Sequence, residues 1–440
     1  PDALSASLAA SILSTDNDRD ANALSRQAAA ARLEWAPAAP LTLGATCRLA
    51  ENDYHEPGML HDPSSAGHAL SRFAIATLYA EARPLASLAS RLTLGLVKNS
   101  YRWDQTAYPS RMDARRLVLD WQNTFRPNPR LLLLAGLNAE TSRYNNAGAT
   151  LRDDLRSAFF NLTLEPFATP SATTRRDTGL TLVLGARADD YDTFNTRLTH
   201  RAGLAWRPAK AAPVFRANYG TGFNAPSPSY LLGGGWYAPS PTLKPERSKG
   251  WDFSLEQDLF NGQAAAGAAW FKNEFKDKFD FSTYDPVTWQ TRVGNIPGAV
   301  TQGVELFLNV RPSPQKIPAL RLAYTYLDAR DSAGRRLVSQ PRHLLSADAN
   351  HRVLPNWLVG AGLTLVAGRP DESYYDPATF SNVPQEMASH TLVRLYTAWD
   401  VTARVTLRLR AENLLDTTYQ PVADYPGLPF SLHASLQWKF

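Results

Sequence analysis

Long apolar runs are missing from these 440 residues. Nothing approaches the ~18 consecutive apolar residues of a spanning helix, so a helical membrane protein is excluded. Disorder is excluded as well, because 44% of the residues are hydrophobic. The single cysteine, Cys47, cannot close an internal disulfide and leaves the redox compartment unread. The net charge is only +5, without a run of five or six Lys or Arg, so nucleic acid is not expected as a partner. No G-x-S-x-G or H-E-x-x-H occurs, and the eight histidines show no ligand spacing, so nothing marks an enzyme. No charged n-region, apolar h-region and cleavage site precede the strand-like Leu4, Ala6, Leu8, Ala10 and Ile12. The expectation is a mature fragment or excised domain, trimmed on its amino-terminal side.

What the chain does have is strict alternation. Phe430, Leu432, Ala434, Leu436, Trp438 and Phe440 fall on one face of a final strand, and Ser431, His433, Ser435, Gln437 and Lys439 on the other. Period-two alternation over about ten residues has the length and pattern of a bilayer-crossing strand, apolar toward lipid and polar toward a lumen. One such strand decides little, because a half-buried soluble strand alternates in the same way. Repetition decides it. Leu41 to Leu49, Leu180 to Ala186, Val304 to Val310 and Val405 to Ala411 all alternate, with Arg48, Arg187, Arg408, Arg410 and Glu412 among the partners. A water-filled lumen accepts charge at this frequency, whereas a covered soluble sheet does not. The fold class is an all-β transmembrane antiparallel barrel, with Cys47 a small lipid-facing residue.

Alternation and turn residues together give about twenty strands. Short connections (Pro37 to Pro40, Pro127 to Arg130, Pro208 to Pro213, Asn261 to Gln263, Pro312 to Pro318, Pro355 to Asn356) interleave with long ones. The long ones are Asn52 to Ala69, Tyr101 to Met112, Tyr144 to Arg156, Gly222 to Gly250, Phe275 to Gln302, Asp328 to Arg342, Gly368 to Ser389 and Leu415 to Pro429. Short periplasmic turns and long exterior loops are the asymmetry of bacterial barrels. Trp35, Trp121, Trp206, Trp357, Trp399 and Trp438 lie near short turns or the carboxyl terminus, as a periplasmic aromatic girdle requires.

Two motif-like runs fail on inspection. Gly220-Thr-Gly-Phe-Asn-Ala225 has the dinucleotide spacing, but Pro226 and Pro228 forbid the helix that would hold a pyrophosphate. Asp16, Asp18 and Asp20 imitate a calcium loop, yet Ala21 stands where glycine is needed and Gln27 where the bidentate acid should be. A looser calcium site among the loop acids Asp53, Asp104 and Asp113 survives beside the ordinary reading of solvated carboxylates. The loops are rich in rings suited to a flat or bulky ligand: Tyr54 with His55, Tyr101, Trp103 and Tyr108, Trp236 and Tyr237, Tyr374 and Tyr375, and Tyr425. Interfacial or loop-packing roles compete for the same side chains. Trp236 and Tyr237 follow Gly233 to Gly235, which reads as a flexible hinge presenting two rings at the lumen mouth.

Three segments then carry a resemblance. Tyr219-Gly-Thr-Gly-Phe-Asn-Ala-Pro226 followed by Leu243-Lys-Pro-Glu-Arg-Ser248, then Gln302-Gly-Val-Glu305, then Glu412-Asn-Leu-Leu-Asp-Thr-Thr-Tyr419 before the final strand, resemble the signatures of TonB-dependent outer-membrane receptors in order and spacing. Within that family, Tyr324 to Arg330 and Gly368 to Tyr375 are most similar to the cobalamin receptor branch, with siderophore receptors close behind. The resemblance implies an outer-membrane location in a Gram-negative-type bacterium, among lipid and lipopolysaccharide, and insertion by the barrel assembly machinery. It implies uptake of a small organometallic ligand, powered by the TonB energy-coupling protein through a plug that is absent from residues 1–440. Cobalamin receptors hold calcium through acid-rich loops, and the matching regions here carry fewer acids. Family barrels have about 22 strands around the plug, so roughly two strands are expected to be missing with it. A passive porin is the alternative for the isolated domain; porins constrict a smaller barrel with an inward loop, whereas twenty or more strands leak unless plugged.

In this family the terminal aromatic is an assembly signal, and Phe440 ends a strand of the required pattern. Deleting Phe440 is expected to lower the folded protein in the membrane, read as loss of the heat-modifiable band on a gel. Unchanged folding and abundance would count against the barrel-terminus reading.

Overall fold

The computed structural model describes residues 3–38, 40–60, 66–105, 108–146, 148–167, 178–285, 287–288, 290–311, 318–376 and 381–439. Within them one sheet holds 21 strands, and all but the two-residue Tyr237–Ala238 are wall strands, twenty in number. Each wall strand pairs antiparallel with its neighbour in sequence, from Ala3–Thr15 through to Ser431–Trp438. A separate two-stranded sheet, Arg369–Asp376 with Ser381–Met387, stands in an exterior loop. Wall strands range from 8 to 21 residues. A bilayer crossing takes about 10, so the longer ones rise beyond the lipid.

Alternation sets the two faces as the sequence requires. Leu33 and Trp35 are exposed on the lipid side, while Arg32 and Glu34 turn inward, where the Tyr79 hydroxyl donates to Glu34 and the Arg91 guanidinium lies 4.0 Å from the Tyr79 ring centroid. The same inward ionic texture recurs around the wall: Arg116 with Glu140 at 3.0 Å, Arg187 with Asp189 at 2.8 Å, Arg216 with Glu256 at 3.0 Å and Arg394 with Asp348 at 2.8 Å. Half-solvated pairs of this kind contribute little to stability singly. Their effect is to make the lumen hydrophilic. Cys47 is exposed on the apolar outer face, as expected. No large side chain is fully buried among the described residues, so the wall has no filled core.

The six girdle tryptophans are all outward and 41 to 63% exposed, and all lie toward the short-turn end. Trp357 pairs across strands with Trp399, and its indole donates to Thr397 at 2.6 Å. Trp121 donates to Ser90 at 3.0 Å. Trp121 and Trp357 thus each combine an outward apolar ring with a polar partner at its edge, the arrangement an interface rewards.

Loop boundaries are where the structure departs from the sequence reading. Tyr144 to Arg156 is a tight hairpin, with strands running to Asn146 and resuming at Ala149. Strands likewise continue to Glu56 and from Gly67, to Asp104 and from Ser110, and to Tyr284 and from Thr291. The physical reason is that above the lipid both faces meet water, so the hydrophobic period vanishes while the hydrogen-bonded ladder goes on. Hydrophobic alternation marks the membrane, not the strand.

The topology can be checked by thiol labelling with a bulky membrane-impermeant maleimide on intact cells. Ala333→Cys, in the exposed turn after Ala319–Asp331, is expected to react, whereas Pro355→Cys should react only after the outer membrane is permeabilised. Native Cys47, facing lipid, should react only in detergent. Labelling of Pro355→Cys but not Ala333→Cys on intact cells would invert the barrel.

Candidate functional site

The one apolar cluster among the described residues sits in the exterior loops, where Phe194, Leu231, Leu243, Phe279 and Val293 are buried. Leu231 and Leu243 come from the loop between Val214–Asn224 and Glu246–Leu259, which contains a short helix, Pro228–Leu232, capped by the Ser227 side chain, while Phe194, Phe279 and Val293 come from the neighbouring strand ends. Signature residues anchor this loop. Glu246 accepts from the Asn224 side chain at 2.9 Å and from the Phe279 backbone N–H at 2.7 Å, so one carboxylate ties three adjacent strands. Asn295 accepts from the Lys244 N–H at 2.9 Å and donates back to its carbonyl at 3.0 Å. The recognisable motif is therefore the foundation of an exterior loop, with no ligand contact required of it.

From that base the loop reaches back along the wall to the exterior ends of Leu131–Asn146 and Ser110–Asn128, four and five strands away. Asn146, only 3% exposed, donates to the Gly233 carbonyl, and Ser229 approaches the Met112 sulfur at 3.3 Å. Gly233 to Gly235 have φ of 72°, 106° and 60°, a conformation that L side chains resist. A Cβ at Gly233 would meet Pro239 at 2.7 Å, and one at Gly235 would meet Ser110 at 2.9 Å. These glycines form a packed turn, which corrects the expectation of a flexible hinge. The next loop clasps it: Gln290 donates to Gly235 at 2.6 Å, the Thr291 N–H to Trp236 at 2.9 Å, and Tyr237–Ala238 pairs in parallel with Thr291 and Arg292. In the clasp, the Thr288 N–H, the Arg292 guanidinium and the Val287 N–H hold the Asp285 carboxyl down at about 2. A depressed carboxyl stabilises the fold above its ordinary range and loses that contribution as pH falls toward about 2, so the clasp persists throughout mildly acid conditions.

The predicted rings are thereby distributed. Tyr108 and Trp236 come together, centroids 4.4 Å apart and planes at 36°, with Trp236 43% exposed. Tyr237 turns the other way, into the loop cluster, with its ring 5.0 Å from that of Tyr230. Trp103 is buried, packed over Gly67. Tyr54 hydrogen-bonds with Tyr101 across the inward face of Gly67–Leu85, which separates their strands, and the Glu56 charge acts on both Tyr101 and Tyr425. Burial, then Glu56, raises the Tyr425 hydroxyl above its ordinary range, so it remains a neutral donor. Its loop is fastened by Arg369, which donates to the Pro421 carbonyl and at 2.6 Å to that of Gln420, and by Asp371, which accepts from the Ala423 N–H at 3.1 Å. Tyr374 and Tyr375 pair in the exterior hairpin with Val383 and Asn382, while their side chains lie outside the described residues, as does Phe440.

The three acids offered for calcium do not converge. Asp53 accepts from His68 Nε2 at 2.7 Å and Asp104 lies 3.9 Å from His68 Nδ1, but Asp113 pairs with Arg111 at 3.5 Å. Calcium asks for six to eight oxygen ligands, and this arrangement brings two carboxylates to an imidazole instead. The sequence reading missed His68. Its signal was the hairpin register, because the pairing that sets Leu49 opposite Ala74 sets His55 opposite His68.

The family model described as TonB dependent receptor-like, beta-barrel, matches residues 14–414. The vitamin B12 transporter BtuB of Photobacterium profundum is 25% identical over 402 residues, covering 88% of this chain and 61% of the relative. The chain thus spans about three fifths of that curated relative. Among solved structures, the siderophore receptor PirA from Acinetobacter baumannii superposes with a TM-score of 0.78 at 15% identity, over 95% of this chain and 71% of the other. The copper transporter OprC does so at 0.77 and 15% identity, over 99% and 76%. At such identities the structural likeness establishes the fold, and the family match establishes membership. The chain belongs to the TonB-dependent receptors, as an outer-membrane β-barrel of the Gram-negative type.

Proposed function

We propose that this barrel is the wall and outer mouth of an energy-coupled receptor that takes up a scarce organometallic nutrient, cobalamin-like or a ferric siderophore. Transport rather than catalysis is the reading, and the names of its relatives support it: a vitamin B12 transporter and a siderophore receptor. The coupling protein would act through a plug encoded outside these 440 residues, with the barrel assembly machinery and lipopolysaccharide as the other partners.

The single observation that carries the ligand reading is the Tyr108–Trp236 pair, two large rings held on clasped loops above a charged lumen. Rigid aromatic surface recognises a bulky planar or catecholate ligand without a large ordering cost. Rings on mobile tips would lose much of that gain. The passive-porin alternative is disfavoured by the twenty wall strands, since an unplugged lumen of that size leaks.

In the full-length receptor, Trp236→Ala or Tyr108→Ala is expected to weaken equilibrium binding of cyanocobalamin or a ferric siderophore to intact cells about tenfold. That corresponds to about 1.4 kcal/mol, the upper range for one aromatic contact. Because the rings touch each other, the double variant should cost less than the sum. Unchanged binding of the whole ligand panel at equal surface expression would make the pair loop packing and sink the assignment.

The packed turn gives a separate expectation. Gly235→Ala, strained by φ of 60° and by Ser110, should displace Trp236 and open the loop to protease on intact cells while the barrel stays heat-modifiable. Wild-type protease resistance together with wild-type binding would show that the turn tolerates the side chain and does not set the ring.

A further inference from the structure

The Asp53, His55 and His68 cluster was left without a role by the ligand site, and its place on the wall is unusual. Residues 41 to 55 pair with residues 68 to 82 without a register shift, so His55 shares the outward face of Leu49 and stands directly opposite His68. His68 in turn stands opposite Asp104 on the following strand, on the face that carries Leu96 lower down. Asp53 is two residues before His55 on the same face. The imidazoles stack with centroids 4.6 Å apart, and a ligand atom from each of Asp53, His55 and His68 lies within 4.8 Å of the others. Leu49 is the last large apolar residue on its strand, and His55 is six residues farther out. That is about 20 Å along a strand, or about 14 Å above the apolar band at a typical tilt.

We propose that this cluster is a divalent transition-metal site, of the zinc class, on the outer surface of the barrel above the lipid. Two imidazole nitrogens and one carboxylate are the donor set that such ions select over calcium. Ligand atoms around a zinc ion sit about 3.3 Å apart, given bonds of about 2.0 Å, so small side-chain rotations bring these three onto one ion. Asp104 completes the arrangement. With His68 Nε2 turned to the metal, Nδ1–H points to Asp104 Oδ2, now 3.9 Å away, and a carboxylate behind a ligating histidine fixes its tautomer. Asp104 is itself held by Arg102 at 2.9 Å. The His68, Asp53 and Asp104 side chains are 34, 48 and 44% exposed, so the ion enters directly from outside.

Because the site faces away from the lumen, the ion is not cargo. It joins the exterior ends of Leu41–Glu56 and Gly67–Leu85, and through Asp104 steadies Leu88–Asp104, the strand leading into the Tyr108 loop. The inference is independent of the nutrient assignment.

The test is zinc binding by the purified full-length receptor in detergent, carrying no polyhistidine tag and stripped with chelator. Calorimetry is expected to show one zinc per chain, raised thermal stability with zinc, and no comparable effect of calcium. His55→Ala and His68→Gln should each weaken zinc at least tenfold while remaining heat-modifiable, and Asp113→Ala should bind like wild type. Cyanocobalamin and siderophore binding should be the same in all three variants, which separates this site from the aromatic mouth. Absence of zinc binding, zinc binding unchanged in a His55→Ala/His68→Gln double variant, or a preference for calcium would each overturn the proposal.

Discussion

Every part of this molecule follows from one constraint: within lipid there is no water to satisfy a backbone N–H or C=O. A strand can cross only if both its edges are paired, so the chain must build a continuous ladder before any side chain has a say. Twenty antiparallel strands joined neighbour to neighbour meet that demand at every seam between them, and only the outer edges of Ala3–Thr15 and Ser431–Trp438 have no strand partner among the described residues. Side chains are then free to answer to their surroundings. Outward positions carry Leu, Ala and Trp, and inward positions carry Arg, Glu, Asp and Tyr in pairs that would be costly in a dry core and cost little in a wet one.

That division explains what could be read in advance. Where one face met lipid and the other water, as in Leu41 to Leu49 or Val405 to Ala411, the sequence carried a period-two signal that located the strand and its orientation. The six girdle tryptophans were legible for the same reason, since an interface selects indole at a fixed height. Above the headgroups the signal disappears. Asn145, Asn146, Ala149 and Thr150 look like loop, yet they form a ladder, because pairing there is set by the strands already aligned below.

The mouth was legible as composition and illegible as geometry. Aromatic residues in the loops are visible in the sequence, but whether Trp103 is buried, Tyr237 packed inward or Trp236 stacked on Tyr108 depends on contacts between segments far apart in the chain. Asn146 reaches Gly233 across 87 residues and Gln290 reaches Gly235 across 55. Only Gly233 to Gly235 announced the turn locally, and even there the sequence suggested freedom where the fold supplies positive φ and close packing.

The same logic distinguishes the two faces of the exterior wall. A strand that outgrows the membrane continues to place alternate residues inside and outside, so one extension serves two chemistries. Tyr54 and Tyr101 project toward the lumen mouth, where rings and a shared carboxylate suit a bulky nutrient. Their sequence neighbours Asp53, His55 and Arg102 project outward, where charge and imidazole meet solvent and the lipid surface. A one-residue slip in register would exchange these sets, carrying the metal donors into the transport path and the rings to the outside. Register is therefore fixed by the apolar band below and inherited by the functional ends above, which is how a membrane constraint comes to specify residues that never touch the membrane.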